Sequence, residues 1–231
     1  MSEHAKTRRE NAANEKTKRP TRALWHSWGV RQKTSRYAGK RPFARVIFAH
    51  GAGAGQKHPF MVAFAKALAK EELDVLTFDF PYMAKGKKTP DRAPVLEASF
   101  EDVIAKHPSD LPLVLAGKSM GGRIASHIAN RTDARALVFF GYPLHPPGKP
   151  EKRRDAHLPS ITIPMLFVQG ERDEFGDASE ITPLAKSLGA KLHLVKGGDH
   201  SLRVRKMDGV PQEDVDRAII RAVVSFVRSV V

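Results

Sequence analysis

The feature that most constrains the fold is a regular alternation of short apolar runs with amphipathic segments. The runs are apolar throughout instead of at every second position, which predicts strands that are covered on both faces. The segments between them have helical spacing. Strands that alternate with helices predict an α/β fold with a mostly parallel central sheet and helices on both of its faces. The predicted strands are 44–50, 73–80, 111–118, 134–142, 161–170 and 191–197, and the predicted helices are 60–71, 94–107, 119–131, 178–189 and 211–230.

Length and composition limit the class of protein. The chain has 231 residues, 41% of them hydrophobic, and we predict one domain over residues 26–231. No apolar run approaches the ~18 residues that span a bilayer, so no membrane span is expected. The N-terminus has no apolar segment typical of a signal peptide. The chain contains no cysteine, which excludes disulfides, thiolate metal ligands and a cysteine nucleophile. These features predict a cytoplasmic protein.

Much of the net charge of +14 lies near the N-terminus, because residues 1–40 hold 11 Lys and Arg against 3 Glu. Residues 1–25 have few large apolar side chains, and we predict a basic, disordered tail there. A second interpretation is a weak electrostatic contact with nucleic acid or anionic lipid. No aromatic interleaving or recognition-helix pattern accompanies the charge, so nucleic acid is not an expected partner. The sequence leaves the oligomeric state open.

A nucleophile motif follows the third predicted strand. Gly117, Lys118, Ser119, Met120 and Gly121 fit Gly-x-Ser-x-Gly, between an apolar run and a helical segment. In that context the motif predicts a sharp strand-to-helix turn that exposes the serine hydroxyl, with glycines where a Cβ would collide with backbone. The alternative is a Gly-rich turn with a serine N-cap.

A nucleophilic serine needs a base, and the base needs a carboxylate that orients it. In this architecture the chain order is serine, acid, histidine. Asp173 follows a predicted strand in the pattern Gly-x-x-Asp, and Glu174 is the second choice. His200 follows the last predicted strand, and His145 is the competing base because it also follows the serine and a strand.

A loop rich in glycine follows the first predicted strand in "HGAGAGQKHPF", with Gly51, Gly53 and Gly55 spaced by two. This spacing fits neither a P-loop nor a dinucleotide fingerprint. A permissive backbone directly after a strand is what half of an oxyanion hole requires. We predict the N–H groups of Ala52 and Met120 as the two donors, with Gly53 as the next choice after Ala52.

The substrate pocket is less constrained by the sequence. Gly53, His58, Tyr82 and His145 are candidate substrate-binding residues, with ordinary loop packing as the alternative. The Pro-rich segment 142–160 is too short for a sizeable lid, which predicts a minimal cap or none. The basic residues around the site indicate either a preference for anionic substrates or only the general basicity of the chain. These residues are Lys118, Arg123, Lys149, Lys152, Arg153, Arg154 and Arg172.

The ordered motifs resemble the α/β-hydrolase superfamily, and the resemblance runs from about residue 44 to 230. Longer blocks such as "FDFPYM", "GKSMGGRIASHIA" and "FVQGERDEFG" are similar to its dienelactone-hydrolase-like branch. They are also similar to the hydrolase-like domain of the NSL chromatin-complex subunit 3 and the testis-expressed 30 protein. The resemblance implies Ser119, Asp173 and His200 as a catalytic triad.

The motifs together predict a serine hydrolase that transfers the acyl group of a small-molecule substrate to water. The expected substrates contain an ester-like bond, namely a carboxylester, a thioester or a lactone. This chemistry requires no metal and no organic cofactor. The alternative function is a non-catalytic interaction module that retains the fold.

Overall fold

The structure is a computed structural model that describes residues 32–231, in which a seven-stranded sheet forms the centre. The predicted tail at 1–25 lies outside the described residues, as does the beginning of the predicted domain 26–231. In the order β1-β3-β2-β4-β5-β6-β7, all neighbours are parallel except β1 and β3. The strands are β1 (Thr34–Ala38), β2 (Ala44–Ala49), β3 (Leu73–Phe78), β4 (Leu113–Lys118), β5 (Ala136–Phe140), β6 (Met165–Gly170) and β7 (Lys191–Val195).

Helices follow the parallel strands along the chain, and all five predicted helices are present; the short helix at Pro81–Ala84 was not predicted. Short 3-10 turns at Ala129–Arg131, Leu158–Ser160 and Lys206–Asp208 occur in addition. The α-helices are α1 (Pro59–Lys70), α2 (Pro81–Ala84), α3 (Ala93–Lys106), α4 (Met120–Ile128), α5 (Ala178–Ser187) and α6 (Gln212–Val230).

Both faces of the sheet are covered, which explains why its strands are apolar throughout. In β2, Val46 and Phe48 pack in one apolar cluster with α1 and α6, and all three elements bury apolar side chains there. Ile47 and Ala49 point the other way, into a cluster with α3, α4 and α5. The predicted α/β fold, with a mostly parallel sheet between two helical layers, is confirmed.

The segment that could hold a cap domain is short. β5 ends at Phe140 and β6 begins at Met165, and the helical structure between them is limited to the turn Leu158–Ser160. The prediction of a minimal cap or none is therefore confirmed. Within residues 32–231, no helix combines the length and the hydropathy that crossing a membrane requires.

The sequence did not predict β1, an antiparallel strand at the edge of the sheet. In addition to its backbone ladder with β3, β1 is linked to the sheet by an ion pair. Asp74 in β3 is fully buried and accepts hydrogen bonds from the exposed Arg36 in β1 and from the buried Arg45 in β2. Burial alone would raise the pKa of Asp74, but the hydrogen bonds from the two guanidinium groups outweigh it and lower that pKa.

We expect Asp74→Ala to destabilise the protein by about 3–5 kcal/mol, because it leaves the buried Arg45 without its partner. The measurement is urea unfolding, with Asp102→Ala as control. Asp102 forms a partly exposed i,i+4 pair with Lys106, which contributes about 0.5 kcal/mol or less. The folded pKa of Asp74 is the lower one, so its contribution is present above the unfolded pKa and is lost as pH falls through the folded pKa. Equal losses in the two variants would contradict this account.

Candidate active site

The turn between β4 and α4 holds Ser119 in a strained backbone conformation. Ser119 has φ 51° and ψ −119°, a left-handed region that non-glycine residues rarely occupy. Such strain costs about 1–3 kcal/mol, and it persists only where the surrounding structure enforces it. Ser119 lines a cavity at the carboxyl edge of the sheet. The predicted strand-to-helix turn is therefore present.

Two glycines allow this turn because backbone passes directly over them. A Cβ on Gly117 would lie 2.1 Å from the carbonyl carbon of Gly121 and 2.1 Å from the nitrogen of Gly122. A Cβ on Gly121 would lie 2.4 Å from the carbonyl oxygen of Ala49, at the end of β2. Neither position has room for a side chain, so the glycines of the motif are required by packing.

The structure brings together the three residues predicted from chain order. His200 Nε2 lies 2.9 Å from Ser119 Oγ. His200 Nδ1 lies 2.9 Å and 2.8 Å from the two carboxylate oxygens of Asp173, which is almost fully buried. Glu174, the second choice for the acid, is exposed. This arrangement can move a proton from the serine hydroxyl to an imidazole that a buried carboxylate orients.

Asp173 is fixed by further hydrogen bonds. Gln169 Nε2 donates to Oδ2 at 2.9 Å, and the backbone N–H of Phe175 donates to Oδ1 at 2.9 Å. The Phe175 ring lies against the imidazole of His200, with 4.1 Å between ring centroids. Asp173 and His200 are thus held in place from several sides.

The loop that carries His200 reaches Ser119 by crossing the ends of two strands. A Cβ on Gly170, at the end of β6, would lie 2.2 Å from the carbonyl oxygen of Asp199. A Cβ on Gly141, after β5, would lie 2.9 Å from the carbonyl oxygen of His200. Both strands therefore end in glycine where the loop passes over them.

Lys118, next to the nucleophile, fixes the same loop. Its Nζ donates to the carbonyl oxygen of His200 at 2.6 Å and lies 5.9 Å from the centroid of the Phe60 ring. Burial lowers the pKa of Lys118 to about 8, although the charges of Asp173 and Asp199 act in the opposite direction.

The Gly-rich loop after β2 lies beside the nucleophile, since a Cβ on Gly51 would be 3.6 Å from Ser119 Cβ. The fully buried His50 anchors the start of this loop. Its Nδ1 lies 2.7 Å from the carbonyl oxygen of Gly51, and its Nε2 accepts from the N–H of Phe80 at 3.0 Å. Burial lowers the pKa of His50, which fits a neutral imidazole with a fixed tautomer.

The other end of the loop is anchored by Gln56 and Asp79. The backbone N–H of Gln56 donates to Asp79 Oδ1 at 2.8 Å, and its side-chain amide donates to Asp79 Oδ2 at 3.1 Å. A Cβ on Gly55 would lie 2.5 Å from Asp79 Oδ1, so glycine is needed at that position. The loop is therefore held at both ends.

The predicted oxyanion-hole donors face the cavity. Ala52 and Met120 both line it. Met120 is the first residue of α4, where the helix itself offers no acceptor for an N–H group. Among the described residues, no acceptor is found for the N–H of either Ala52 or Met120. Both N–H groups thus remain candidate donors to a bound molecule.

The cavity has a volume of about 880 Å³, and Gly53 and His58 line it together with Ser119 and His200. The other two candidate substrate-binding residues do not. Tyr82 is buried behind the Gly-rich loop, where its hydroxyl donates to the carbonyl oxygen of Ala52 at 2.8 Å.

His145 also lies away from the cavity wall. It is buried, and its Nε2 lies 2.9 Å from Glu180 Oε2 in α5. Burial alone would lower the pKa of His145, but the bond to Glu180 raises it. Tyr82 and His145, which the sequence suggests as substrate-binding residues, thus do not line this cavity, and each side chain is engaged by neighbouring elements. His145 is likewise not in contact with Ser119, so it does not compete with His200.

Sequence reasoning missed the residues that support the site from behind, namely His50, Gln56, Lys118 and Gln169. For two of them the sequence offered a signal, a polar residue directly after an apolar run. His50 follows one such run and Gln169 follows another. Within residues 32–231, no group of three or more His, Cys, Asp or Glu side chains is arranged to hold a metal ion.

The fold and the position of the site define a class of protein, an α/β protein with a serine-histidine-aspartate arrangement at the carboxyl edge of its sheet. The chain belongs to the α/β-hydrolase family: the family model described as an alpha/beta hydrolase domain matches residues 42–228.

Solved structures share this fold at low sequence identity. Est1E from Butyrivibrio proteoclasticus, determined with ferulic acid bound, is 17% identical, with a TM-score of 0.70, and the match covers 87% of this chain and 96% of that one. Dienelactone hydrolase from Anabaena variabilis is 17% identical, with a TM-score of 0.64 and coverage of 88% and 94%. A serine hydrolase without a lid from Xanthomonas campestris is 18% identical, with a TM-score of 0.61 and coverage of 74% and 81%.

We expect Gly117→Ala to destabilise the protein by about 3 kcal/mol or more, because backbone on both sides prevents relaxation around the new methyl group. Gly53→Ala is the matched control, since no atom lies within 4 Å of a Cβ there, and its effect should stay within ~0.5 kcal/mol. Urea unfolding of both variants makes the comparison. Similar stabilities would contradict the tight packing at the turn.

The lowered pKa of Lys118 gives a second prediction. Between about 8 and the ordinary value of 10.5, the unfolded chain binds a proton that the folded chain does not, so folding becomes more favourable as pH rises. We expect the free energy of unfolding of the wild type, relative to Lys118→Met, to increase from about pH 8 to about pH 10. Urea unfolding across this range measures it, with Lys66→Met on the exposed side of α1 as control. A flat or falling difference would contradict charge burial at Lys118.

Proposed function

We propose that this protein is a serine hydrolase that cleaves ester-like bonds in small acyl substrates. The observation that carries the proposal is the continuous contact from Ser119 Oγ through His200 to the buried carboxylate of Asp173. Nucleophile, base and orienting acid lie within hydrogen-bond distance of one another in the order that acyl transfer requires.

In the proposed first half-reaction, His200 Nε2 accepts the proton of Ser119 as Oγ attacks the substrate carbonyl carbon. Asp173 holds the proton on Nδ1 of the imidazole and stabilises the imidazolium that forms. The N–H groups of Ala52 and Met120 donate to the oxyanion of the tetrahedral intermediate. The intermediate collapses when His200 protonates the leaving group, which departs and leaves the acyl group on Ser119.

In the second half-reaction, a water molecule takes the place of the leaving group. His200 accepts a proton from this water as its oxygen attacks the acyl carbonyl, and the same two N–H groups stabilise the second oxyanion. Collapse of this intermediate returns the proton from His200 to Ser119 Oγ and releases the carboxylic acid. His200 mediates every proton transfer in this scheme, and the attacking water supplies the proton that restores Ser119.

The relatives bear on the type of bond. One similar structure carries ferulic acid, and another is a dienelactone hydrolase, so carboxylesters and lactones are the first substrates to test. The short segment between β5 and β6 leaves the cavity without a cap, which favours small or extended substrates. From the sequence alone, we also propose that the chain is similar to the hydrolase-like domains of the NSL-complex subunit 3 and the testis-expressed 30 protein. We propose a cytoplasmic location on the same basis.

We expect a fluorophosphonate probe to label the wild type and not Ser119→Ala, which should also lose hydrolysis of short acyl esters. Asp173→Asn should lower kcat by about 10⁴-fold, because it disturbs the required imidazole tautomer. The measurements are gel-based labelling and a screen of carboxylesters, thioesters and lactones of graded acyl length.

Ser126→Ala is the matched control, because Ser126 Oγ also contacts a histidine, His157 Nε2, at 2.7 Å. This variant should be labelled like the wild type. Absence of labelling in the wild type, or equal labelling of Ser119→Ala, would refute the proposed mechanism and favour a non-catalytic module.

A further inference from the structure

Two arginines on the cavity wall have unused hydrogen-bonding capacity. Arg123 and Arg154 both line the cavity that contains Ser119. The exposed Arg203 also lines it but is not among the groups that shift the pKa of Arg123. Nε of Arg123 is buried and has no hydrogen-bond partner among the described residues. Arg123 and Arg154 are not among the arginines of residues 32–231 that form salt bridges. Those arginines are Arg36, Arg45, Arg131, Arg153, Arg205 and Arg217.

The position of Arg123 follows from the helix that begins after the nucleophile. It lies four residues after Ser119, and its backbone N–H donates to the carbonyl oxygen of Ser119 at 3.2 Å. Residues separated by four lie on the same face of a helix, about 6 Å apart along its axis. The backbone of Arg123 is therefore about one helical turn beyond Ser119, and its side chain lines the same cavity.

Arg154 is presented by the short segment that stands where a cap domain would be inserted. Its backbone is fixed at two points: its N–H donates to the carbonyl oxygen of Leu144 at 2.8 Å, and its carbonyl oxygen accepts from the Tyr142 hydroxyl at 2.8 Å. The second guanidinium thus faces the cavity from a fixed backbone.

The two cations are close enough to affect each other. Burial lowers the pKa of Arg123, and the charge of Arg154 lowers it further. Tyr142 and Glu97 act in the opposite direction, but the carboxylate of Glu97 already forms hydrogen bonds with His127 and Arg131. A partly buried cation beside a second cation is costly unless an anion compensates it.

The acidic groups of the cavity lie elsewhere. Asp91 also has a buried oxygen without a partner, but its charge acts on Tyr82, behind the Gly-rich loop. Asp216 accepts a hydrogen bond from Gln212. Neither carboxylate is among the groups that shift the pKa of Arg123. No carboxylate of residues 32–231 forms a salt bridge with Arg123 or Arg154, so an anionic group of a bound molecule can take that place.

We propose that Arg123 and Arg154 form a subsite for a carboxylate of the substrate, so that the enzyme prefers ester-like substrates with a free carboxylate a few bonds from the scissile carbonyl. This inference rests on the proposed hydrolase function. Guanidinium groups bind carboxylates through paired, charge-assisted hydrogen bonds, each contributing about 1.5–3 kcal/mol. The proposed subsite uses two of the seven basic residues that the sequence places near the site. Arg153 is not part of it, because Arg153 pairs with Asp155.

The test compares esters of matched shape that differ in charge. The pairs are monomethyl glutarate with methyl pentanoate, and monomethyl adipate with methyl hexanoate, with kcat/KM followed by release of methanol. We expect the wild type to prefer the charged ester by about tenfold to hundredfold, from the hydrogen-bond energies above. In Arg154→Gln this ratio should fall toward parity. In Arg153→Gln, the matched control from the same segment, the ratio should stay at the wild-type value.

Parity in the wild type, or an unchanged ratio in Arg154→Gln, would overturn the subsite. If Arg154→Gln does not fold, Arg154→Lys replaces it, and the ratio should fall there too because the paired hydrogen bonds are lost. Hydrolysis of the neutral esters that depends on Ser119, without any charge preference, would refute the subsite and leave the proposed function intact.

If no ester is cleaved, the subsite is tested by measuring ligand binding with titration calorimetry. Glutarate should bind the wild type more tightly than glutaramide does, by about tenfold or more, and this difference should be lost in Arg154→Gln and kept in Arg153→Gln. Equal binding of glutarate and glutaramide would overturn the subsite. Binding of inorganic phosphate without binding of glutarate would overturn the assignment to a carboxylate.

Discussion

The site depends on the contact of backbone with backbone around the turn between β4 and α4. Gly121 touches the carbonyl group at the end of β2, and Gly117 touches the first turn of α4. These contacts fix the helix against two strands at a distance that any side chain would increase. The strained serine and the free N–H of Met120 belong to this turn, and the Gly-rich loop lies beside it. The proposed nucleophile and the proposed oxyanion donors are therefore positioned by one packing constraint.

The other half of the site follows from the order of strands in the sheet. Asp173 follows β6 and His200 follows β7, whereas Ser119 follows β4 and is separated from β6 by β5. The histidine loop must therefore cross two strand ends to reach the serine. Gly170 and Gly141 remove the side chains that would block this path, and Lys118 binds the loop where it arrives. Because the loop lies on backbone, it has little freedom to move away from the nucleophile.

The sequence predicted the parts of the structure that depend on local pattern. The parallel strands, the turn at Ser119 and the residues Asp173 and His200 could be identified because each motif follows its own apolar run. β1 was missed because "TSRYA" is short and mostly polar, and an ion pair with Asp74 attaches it. The contacts of Tyr82 and His145 could not be predicted, since they depend on which distant element packs against each side chain. Some strand ends were predicted too long because apolar residues such as Phe80 and Tyr142 continue past the end of the strand.

Gln169 connects the acid to the segment that carries Arg154. Its side-chain amide donates to Asp173 and to the carbonyl oxygens of Tyr142 and Gly176, and its oxygen accepts from the N–H of Tyr142. The hydroxyl of the same tyrosine holds the backbone of Arg154. The segment that shapes the substrate cavity is therefore not an independent module. Exchange of this segment between relatives, by evolution or by design, would disturb the hydrogen bonds of Gln169 and, through them, the position of Asp173. The exchange avoids this only if the residue at 142 keeps both its backbone position and its hydroxyl.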